Sequence, residues 1–140
     1  MPTDRSLLDF QGEWTLHKTI QQTGQPNAIY TGQAVWHPCA KGLQYEESGT
    51  LTITGHTPMQ TTRRYLWTDG LNVFFDDGRF FHTVPPNGGA TQHVCPPDDY
   101  NVLYDFTTWP RFQVIWRVQG PRKDYVMTAN YAPLHPAPVP

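Results

Sequence analysis

Turn signals built from glycine, proline and Asx residues recur about every ten residues along this chain and separate short segments of strand-like sequence. The turns are Thr23-Gly24, Lys41-Gly42, Asp69-Gly70, Asp77-Gly78, Asn87-Gly88-Gly89, Pro96-Pro97 and Gly120-Pro121. The segments are residues 13–22, 28–37, 42–54, 58–68, 71–76, 79–84, 90–95, 99–108, 111–119 and 123–131. Several connections are tight, and Asx-Gly pairs are strong hairpin signals. We therefore expect an all-β fold, an antiparallel up-and-down β-barrel of roughly eight to ten strands.

The composition agrees with one β domain. Aromatic residues make up 14% of the 140 residues, and threonine is common. Both residue types favour strands. We expect a single barrel domain over residues 1–132 and a proline-rich tail over residues 133–140. A short helical turn over residues 4–10, with Asp4 as its N-cap, should precede the first strand.

The charge distribution argues against several classes of partner. The net charge is −2 and the basic residues are scattered, so we expect no nucleic-acid partner. No apolar run approaches the ~18 residues of a membrane span, so we expect no membrane partner. The N-terminus lacks the layout of a signal peptide, which predicts a cytoplasmic protein with Cys39 and Cys95 reduced. The sequence leaves open whether the protein is a monomer or a homodimer.

The stretch FFDDGRFFH, residues 74–82, is typical of a hairpin. A two-residue Asp77-Gly78 turn would place Asp76 opposite Arg79, where the two charges could latch the strands. One face of the hairpin would then carry Val73, Phe75, Phe80 and His82. The charged residues of this turn are interpreted as structural, and only His82 is a candidate for chemistry.

Gly12-Glu13-Trp14 follows the helical turn and opens the first strand. This arrangement resembles the Gly-x-Trp start of calycins, the family of lipocalin and fatty-acid-binding barrels. The resemblance implies a basic side chain from a late strand over a buried Trp14. Arg117, Arg122 or Lys123 could provide it as a cation–π contact.

A longer series of spaced residues extends over nearly the whole chain. It runs through Gly12-x-Trp14, Gly32-x-Ala34-x-Trp36, Leu43-x-Tyr45-x-Glu47-x-Gly49, Arg64-Tyr65-x-Trp67, Phe75-x-Asp77-Gly78-Arg79-x-Phe81-His82, His93-x-Cys95, Asp98-x-Tyr100, Tyr104-x-Phe106 and Trp116-x-Val118-x-Gly120-Pro121-x-Lys123-Asp124-Tyr125. This series resembles a bacterial family known only as domain of unknown function 6314. In the first strand Lys18 stands where the resemblance implies arginine. The resemblance implies a calycin-like barrel and no established activity.

Two His-x-Cys pairs could form a zinc site if their strands lay close together. They are His37-Pro38-Cys39 and His93-Val94-Cys95. Zinc sites usually show C-x₂-C or H-x₃-H spacing, which is absent here, and Pro38 interrupts its strand. We therefore expect no metal, and we interpret the pairs as buried thiols beside hydrogen-bonded histidines.

Three charged residues share strand faces with bulky apolar residues. Lys18 is in phase with Trp14, and Glu47 is in phase with Tyr45. Arg63 is likewise in phase with Tyr65. Because burying a lone charge is costly, such residues pair or contact water in a cavity. They could line a ligand cavity or form a salt bridge that plugs one end of the barrel.

These patterns favour a small-molecule-binding barrel with an aromatic and polar interior. The candidate ligand-binding residues are Lys18, Tyr45, Glu47, Arg63, Tyr65, His82, His93, Tyr104 and Trp116. The ligand should be aromatic or acidic, with a carboxylate or carbonyl that meets Arg63. The alternative is an enzyme of the decarboxylase or isomerase type, with Glu47 or His82 as acid/base. No motif for a phosphate cradle, a nucleophile elbow or a zinc protease is present, and no cofactor is predicted.

Overall fold

The computed structural model describes residues 4–135, which form one short 3₁₀ helix followed by ten strands. The helix is Leu7–Phe10. The strands are β1 (Gly12–Gln22), β2 (Ala28–Cys39), β3 (Gly42–Ile53), β4 (Met59–Thr68), β5 (Asn72–Phe75), β6 (Phe80–Thr83), β7 (Gly89–Cys95), β8 (Asp98–Asp105), β9 (Phe112–Gly120) and β10 (Lys123–Pro133). The predicted all-β class and the predicted number of strands are confirmed.

All ten strands belong to one antiparallel sheet, in the order β6-β5-β4-β3-β2-β1-β10-β9-β8-β7. Strands that follow each other in the chain are neighbours in the sheet, and β1 pairs with β10 in the middle of the order. The two edges, β6 and β7, meet where the sheet curls round. Side chains join them: the rings of Phe81 and His93 lie 5.1 Å apart. The fold is thus the expected up-and-down barrel, nearly closed, with a side-chain seam between β6 and β7.

The helical turn begins at Ser6 and not at the predicted Asp4. Ser6 is the N-cap of the Leu7–Phe10 helix, and its backbone N–H donates to the Asp9 carboxylate at 2.8 Å. A carboxylate three residues after the cap stabilises the first turn in this way. The turn places Phe10, which is fully buried, against the end of the barrel.

Aromatic side chains fill the barrel end at which β1 starts, here called the closed end. They are Phe10, Trp14, Trp36, Trp67, Phe106, Trp109 and Phe112. Trp14 is 4% exposed, as expected, and its Nε1–H donates to the Phe10 carbonyl oxygen at 2.9 Å. The indole N–H is thereby satisfied inside an apolar cluster.

The expected cation over Trp14 from a late strand is wrong. Arg117 pairs with Asp124 at 2.9 Å, and Lys123 pairs with Asp98 at 3.0 Å. The cation that stacks at the closed end is Arg5, which lies 4.6 Å from the Trp109 ring centre. The segment before the first strand therefore supplies the cation, and it stacks on a neighbour of Trp14.

The β5–β6 hairpin departs from the predicted pairing after its first residues. Val73 pairs with His82 as expected, but a register shift then places Phe74 opposite Phe80. Because one extra residue reverses the faces of a strand, Phe81 is buried and Phe80 is 51% exposed. Arg79 pairs with Asp77 at 2.8 Å, and the predicted Asp76 latch is wrong.

The two His-x-Cys pairs lie at opposite ends of the barrel. Cys39 ends β2 at the closed end, while Cys95 ends β7 at the other end, and both are exposed. The expectation of buried thiols is therefore wrong. Within residues 4–135 no group of three or more His, Cys, Asp or Glu side chains could hold a metal ion.

The last strand extends into the segment that the sequence predicts to be a tail. β10 runs to Pro133, and the Leu134 N–H bonds to the Glu13 carbonyl oxygen at 2.9 Å. The rest of the expected tail, from residue 136, lies outside the described residues, and the domain division stays a prediction.

The only helix in the described part is one turn long, far short of what is needed to cross a membrane.

Candidate functional site

The barrel encloses a cavity of about 420 Å³ between the aromatic closed end and the opposite end. Eight of the nine candidate residues line it: Lys18, Tyr45, Glu47, Arg63, Tyr65, His82, Tyr104 and Trp116. His93 does not line it. Its half-buried ring packs instead against Phe81 and Phe75, at 5.1 and 5.7 Å. Whether these residues bind a ligand stays a prediction.

A buried ion pair crosses the cavity wall from β1 to β3. Lys18 Nζ donates to Glu47 Oε2 at 2.6 Å, and the two residues are 5% and 4% exposed. The strand between them, β2, turns Gly32 and Ala34 toward the interior. Because these two residues are so small, the long side chains of Lys18 and Glu47 can meet above them.

Two tyrosines extend this ion pair into a hydrogen-bonded chain. The Tyr45 hydroxyl donates to Glu47 Oε1 at 2.7 Å, and it lies 2.8 Å from the Tyr131 hydroxyl. Burial, the phenol of Tyr131 and the Glu47 carboxylate all raise the pKa of Tyr45, so its proton is retained at neutral pH. The chain can hold or pass a proton between β3 and β10.

Arg63 stands at a gap in the barrel wall. β5 pairs only with Tyr65–Thr68 of β4, so within residues 4–135 the first half of β4 has β3 on one side and no strand on the other. Arg63 lies opposite Glu47 in the β3–β4 register, but Glu47 pairs with Lys18. The Arg63 side chain is exposed in this gap and also lines the cavity.

Tyr65 is the neighbour of Arg63 on the same strand face. Burial raises the pKa of Tyr65, and the nearby Arg63 charge opposes this rise. The phenol is therefore protonated at neutral pH and can donate a hydrogen bond into the cavity. Arg63 and Tyr65 together form a donor-rich edge of the cavity.

His82 joins β6 to β8 across the seam. Its Nε2 lies 2.8 Å from the Tyr104 hydroxyl, and both residues are buried. Burial, and to a lesser extent the charge of His93, lowers the pKa of His82 to about 4. His82 is thus neutral at pH 7, and its Nδ1 has no hydrogen-bond partner within residues 4–135.

The cavity reaches the surface at the end opposite the closed end. Its lining includes Gln22, the last residue of β1, and Lys123, the first residue of β10. Lys123 is exposed and donates to the Tyr100 hydroxyl at 3.1 Å. We call this end the mouth of the cavity.

Sequence reasoning missed the contribution of β10. Tyr125, Met127, Ala129 and Tyr131 alternate along this strand, and all four line the cavity. Residues two apart share a strand face, so this alternation was a readable signal. Tyr131 is the most important of the four for the site, because its hydroxyl ends the hydrogen-bonded chain that begins at Lys18.

Comparison with known proteins identifies the family and gives a fold likeness. No curated protein matches the sequence. The S-type phycobiliprotein lyase CPES from Guillardia theta has a similar structure, with a TM-score of 0.65 and 6% sequence identity over 94% of this chain and 92% of that chain. At so low an identity the likeness shows the fold alone. The sequence pattern of the family of unknown function DUF6314 matches residues 10–133. The chain therefore belongs to the family of unknown function DUF6314.

Proposed function

We propose that the barrel binds a small organic molecule with an apolar, partly aromatic body and an acidic group. The observation that carries this proposal is the charge arrangement of the cavity wall. Glu47 is neutralised by Lys18, and Arg63 is left as a cation at the wall with no carboxylate paired to it among the described residues. An anionic group on a ligand would complete this pairing through charge-assisted hydrogen bonds.

The size and lining of the cavity support this class of ligand. A volume of about 420 Å³ falls within the ~300–1,000 Å³ of ordinary ligand pockets. Aromatic rings from several strands face the cavity: Trp36, Trp67, Phe75, Phe81, Phe112 and Trp116. Such rings favour a flat apolar body, since they bury its surface with little loss of side-chain freedom.

Access to the cavity supports reversible binding of a ligand from solution. Gln22 and Lys123 lie on the rim of the mouth, and the exposed Arg63 marks the gap beside β4. A ligand can therefore enter with its apolar body first and leave its acidic group near Arg63. Lys123 at the mouth adds a second positive charge that attracts anions.

Tryptophan fluorescence tests the proposal directly, because Trp36, Trp67 and Trp116 line the cavity. The purified chain is titrated with aromatic carboxylic acids and with fatty acids. We expect saturable quenching, and the Arg63→Ala variant should bind about 10- to 150-fold more weakly. This range corresponds to the loss of one hydrogen bond to a charged group, about 1.5–3 kcal/mol.

Arg64→Ala is the matched control. Arg64 is the next residue on β4, points outward and pairs with Glu46 on the surface at 3.3 Å. Arg64→Ala lowers the net charge by the same amount as Arg63→Ala. It should leave ligand affinity unchanged and cost little stability, because exposed ion pairs contribute little to stability. The proposal is wrong if neither class of acid binds, or if both arginine variants weaken binding alike.

A second candidate function is acid–base catalysis in the same cavity. The observation that favours it is the hydrogen bond from Tyr45 to Glu47, a donor and acceptor pair placed to move a proton. The phycobiliprotein lyase of similar fold is named as an enzyme. Catalysis predicts that a bound acid is decarboxylated or isomerised and that Tyr45→Phe stops turnover while binding persists. Product analysis by mass spectrometry or NMR after incubation with each bound acid separates this candidate from simple binding.

A further inference from the structure

Lys18 differs in its surroundings from the other lysines of the chain. The sequence has three lysines, Lys18, Lys41 and Lys123. Lys41 is exposed in the β2–β3 turn, and Lys123 is exposed at the mouth. Lys18 lies within β1, is 5% exposed and lines the cavity. A primary amine therefore faces the same enclosed space as the aromatic rings.

The neighbours of Lys18 provide both a proton acceptor and a site for a positive charge. Burial lowers the pKa of Lys18, and Glu47 opposes this while Arg63 adds to it. The Glu47 carboxylate at 2.6 Å can accept the ammonium proton. The Tyr30 ring lies 4.8 Å from Nζ and stabilises a cation at this position.

We propose that Lys18 captures a carbonyl-bearing ligand in the cavity as an imine, with Glu47 as the counter-ion. The proposal rests on the proposed function, because it requires a ligand in the same cavity. The ligand class is an aldehyde or ketone with a flat apolar body. Buried lysines serve this chemistry because the amine, once deprotonated, is a good nucleophile.

The reaction balances without any further reagent. Lys18 passes a proton to Glu47, and the free amine attacks the carbonyl carbon to form a C–N bond. Glu47 returns the proton to the former carbonyl oxygen, giving a carbinolamine. A second proton, from the carbinolamine nitrogen through Glu47, lets the oxygen leave as water. Loss of water leaves the last of the three ammonium protons on nitrogen, so the product is a protonated imine whose positive nitrogen lies beside the Glu47 carboxylate.

The cavity favours the imine over its hydrolysis. Lys18 and Glu47 are almost fully buried, and a ligand that fills the cavity beside them excludes the water that would reverse the reaction. The ion pair of the free protein is replaced by an equivalent ion pair in the adduct. The Tyr45 hydroxyl continues to donate to Glu47 Oε1 and holds the carboxylate in place.

Reductive trapping tests this proposal on the whole chain. The protein is incubated with a limiting amount of cinnamaldehyde and with sodium cyanoborohydride, digested and mapped by mass spectrometry. We expect labelling at Lys18 at least tenfold above that at Lys41. Labelling of Lys41 or Lys123 to the same extent as Lys18, or no labelling of Lys18, overturns the proposal.

Two further measurements distinguish capture at Lys18 from general reactivity. Lys18→Met should lose the label while Lys41→Met keeps it, with folding of both variants checked by near-UV circular dichroism. If Lys18→Met does not fold, a protection experiment with the wild-type protein takes its place. An aromatic acid that quenches the tryptophan fluorescence should reduce labelling of Lys18 and leave labelling of Lys41 unchanged. Absence of that protection counts against the proposal.

Failure of this inference is separable from failure of the proposed function. If aromatic acids bind and Arg63→Ala weakens them, but Lys18 is never labelled, the cavity binds ligands without covalent capture. If no acid binds and Lys18 reacts no faster than Lys41, both proposals are wrong.

Discussion

His82 is held at the seam by one hydrogen bond, and its environment excludes a charge. Its Nε2 is bonded to the Tyr104 hydroxyl, and its Nδ1 lacks a partner among the described residues. The lowered pKa of about 4 means that the folded protein keeps His82 neutral where the unfolded chain, with a value near 6.5, binds a proton. Between these two pKa values the unfolded state binds more protons, so stability falls as the pH falls.

We predict that His82 contributes about 2 kcal/mol to the loss of unfolding free energy between pH 7 and pH 4.5. Urea unfolding of the wild type and of His82→Gln at both pH values measures this. Glutamine does not titrate but can still bond to Tyr104. The wild type should lose more stability than the variant, and an equal loss in the two proteins would show that His82 is not the cause.

At the scale of the strands, β2 and β3 approach each other unusually closely at one point. Gly32 and Gly49 lie directly opposite each other in the register. A Cβ on Gly32 would collide with the Ser48 carbonyl oxygen, and one on Gly49 would lie 2.8 Å from the Gly32 Cα. Neither residue has a positive φ, so it is the lack of a side chain that matters here.

Gly32→Ala should therefore destabilise the protein by about 1–3 kcal/mol, as overpacking of a tight contact does. Gln33→Ala, one residue along β2 and exposed, should change stability by no more than about 0.5 kcal/mol. Thermal and urea unfolding of both variants provide the measurement. Equal effects would mean that the close approach of the two strands is not what the glycine permits.

The strand phases show how far the sequence could predict the site. Strand alternation places Lys18, Glu47 and Arg63 in phase with bulky apolar residues but leaves open whether they line a cavity or plug one end of the barrel. In the structure all three line the cavity, and Lys18 and Glu47 also form an ion pair. The same reasoning failed for Phe80 and Phe81, because a bulge in a four-residue strand leaves no pattern in the alternation. His93 is the one candidate that does not line the cavity, and its ring lies 5.1 Å from the Phe81 ring of this hairpin.

In the whole molecule, the barrel wall is interrupted at the gap beside β4 and at the seam between β6 and β7. β1, β2 and β10 each have hydrogen-bonded neighbours on both sides, whereas β6 and β7 have one each. Across the seam the contacts are between side chains, such as Phe81 with His93 and His82 with Tyr104. Local opening should begin where backbone hydrogen bonds on one side are absent.

Hydrogen–deuterium exchange measured by mass spectrometry should detect local opening at the seam between β6 and β7. We predict that peptides covering β6 and β7 exchange faster than those covering β1, β2 and β10. Tyr104→Phe removes the hydroxyl bonded to His82 and should accelerate exchange in β6 further while leaving β2 unchanged. Uniform protection of all strands would contradict the picture of a side-chain seam.

The pairing of β1 with β10 has a consequence for the order in which the chain can assemble. Every other ladder joins consecutive strands, which can form as soon as each hairpin has been synthesised. The β1–β10 ladder must close a loop of about a hundred residues, although the entropic cost of closure grows only slowly with loop length. Until β10 leaves the ribosome, β1 has an open edge, and Tyr45 lacks its Tyr131 partner. The cavity can therefore form only after β10 has been synthesised, and a nascent chain that lacks β10 presents a curved sheet without an interior.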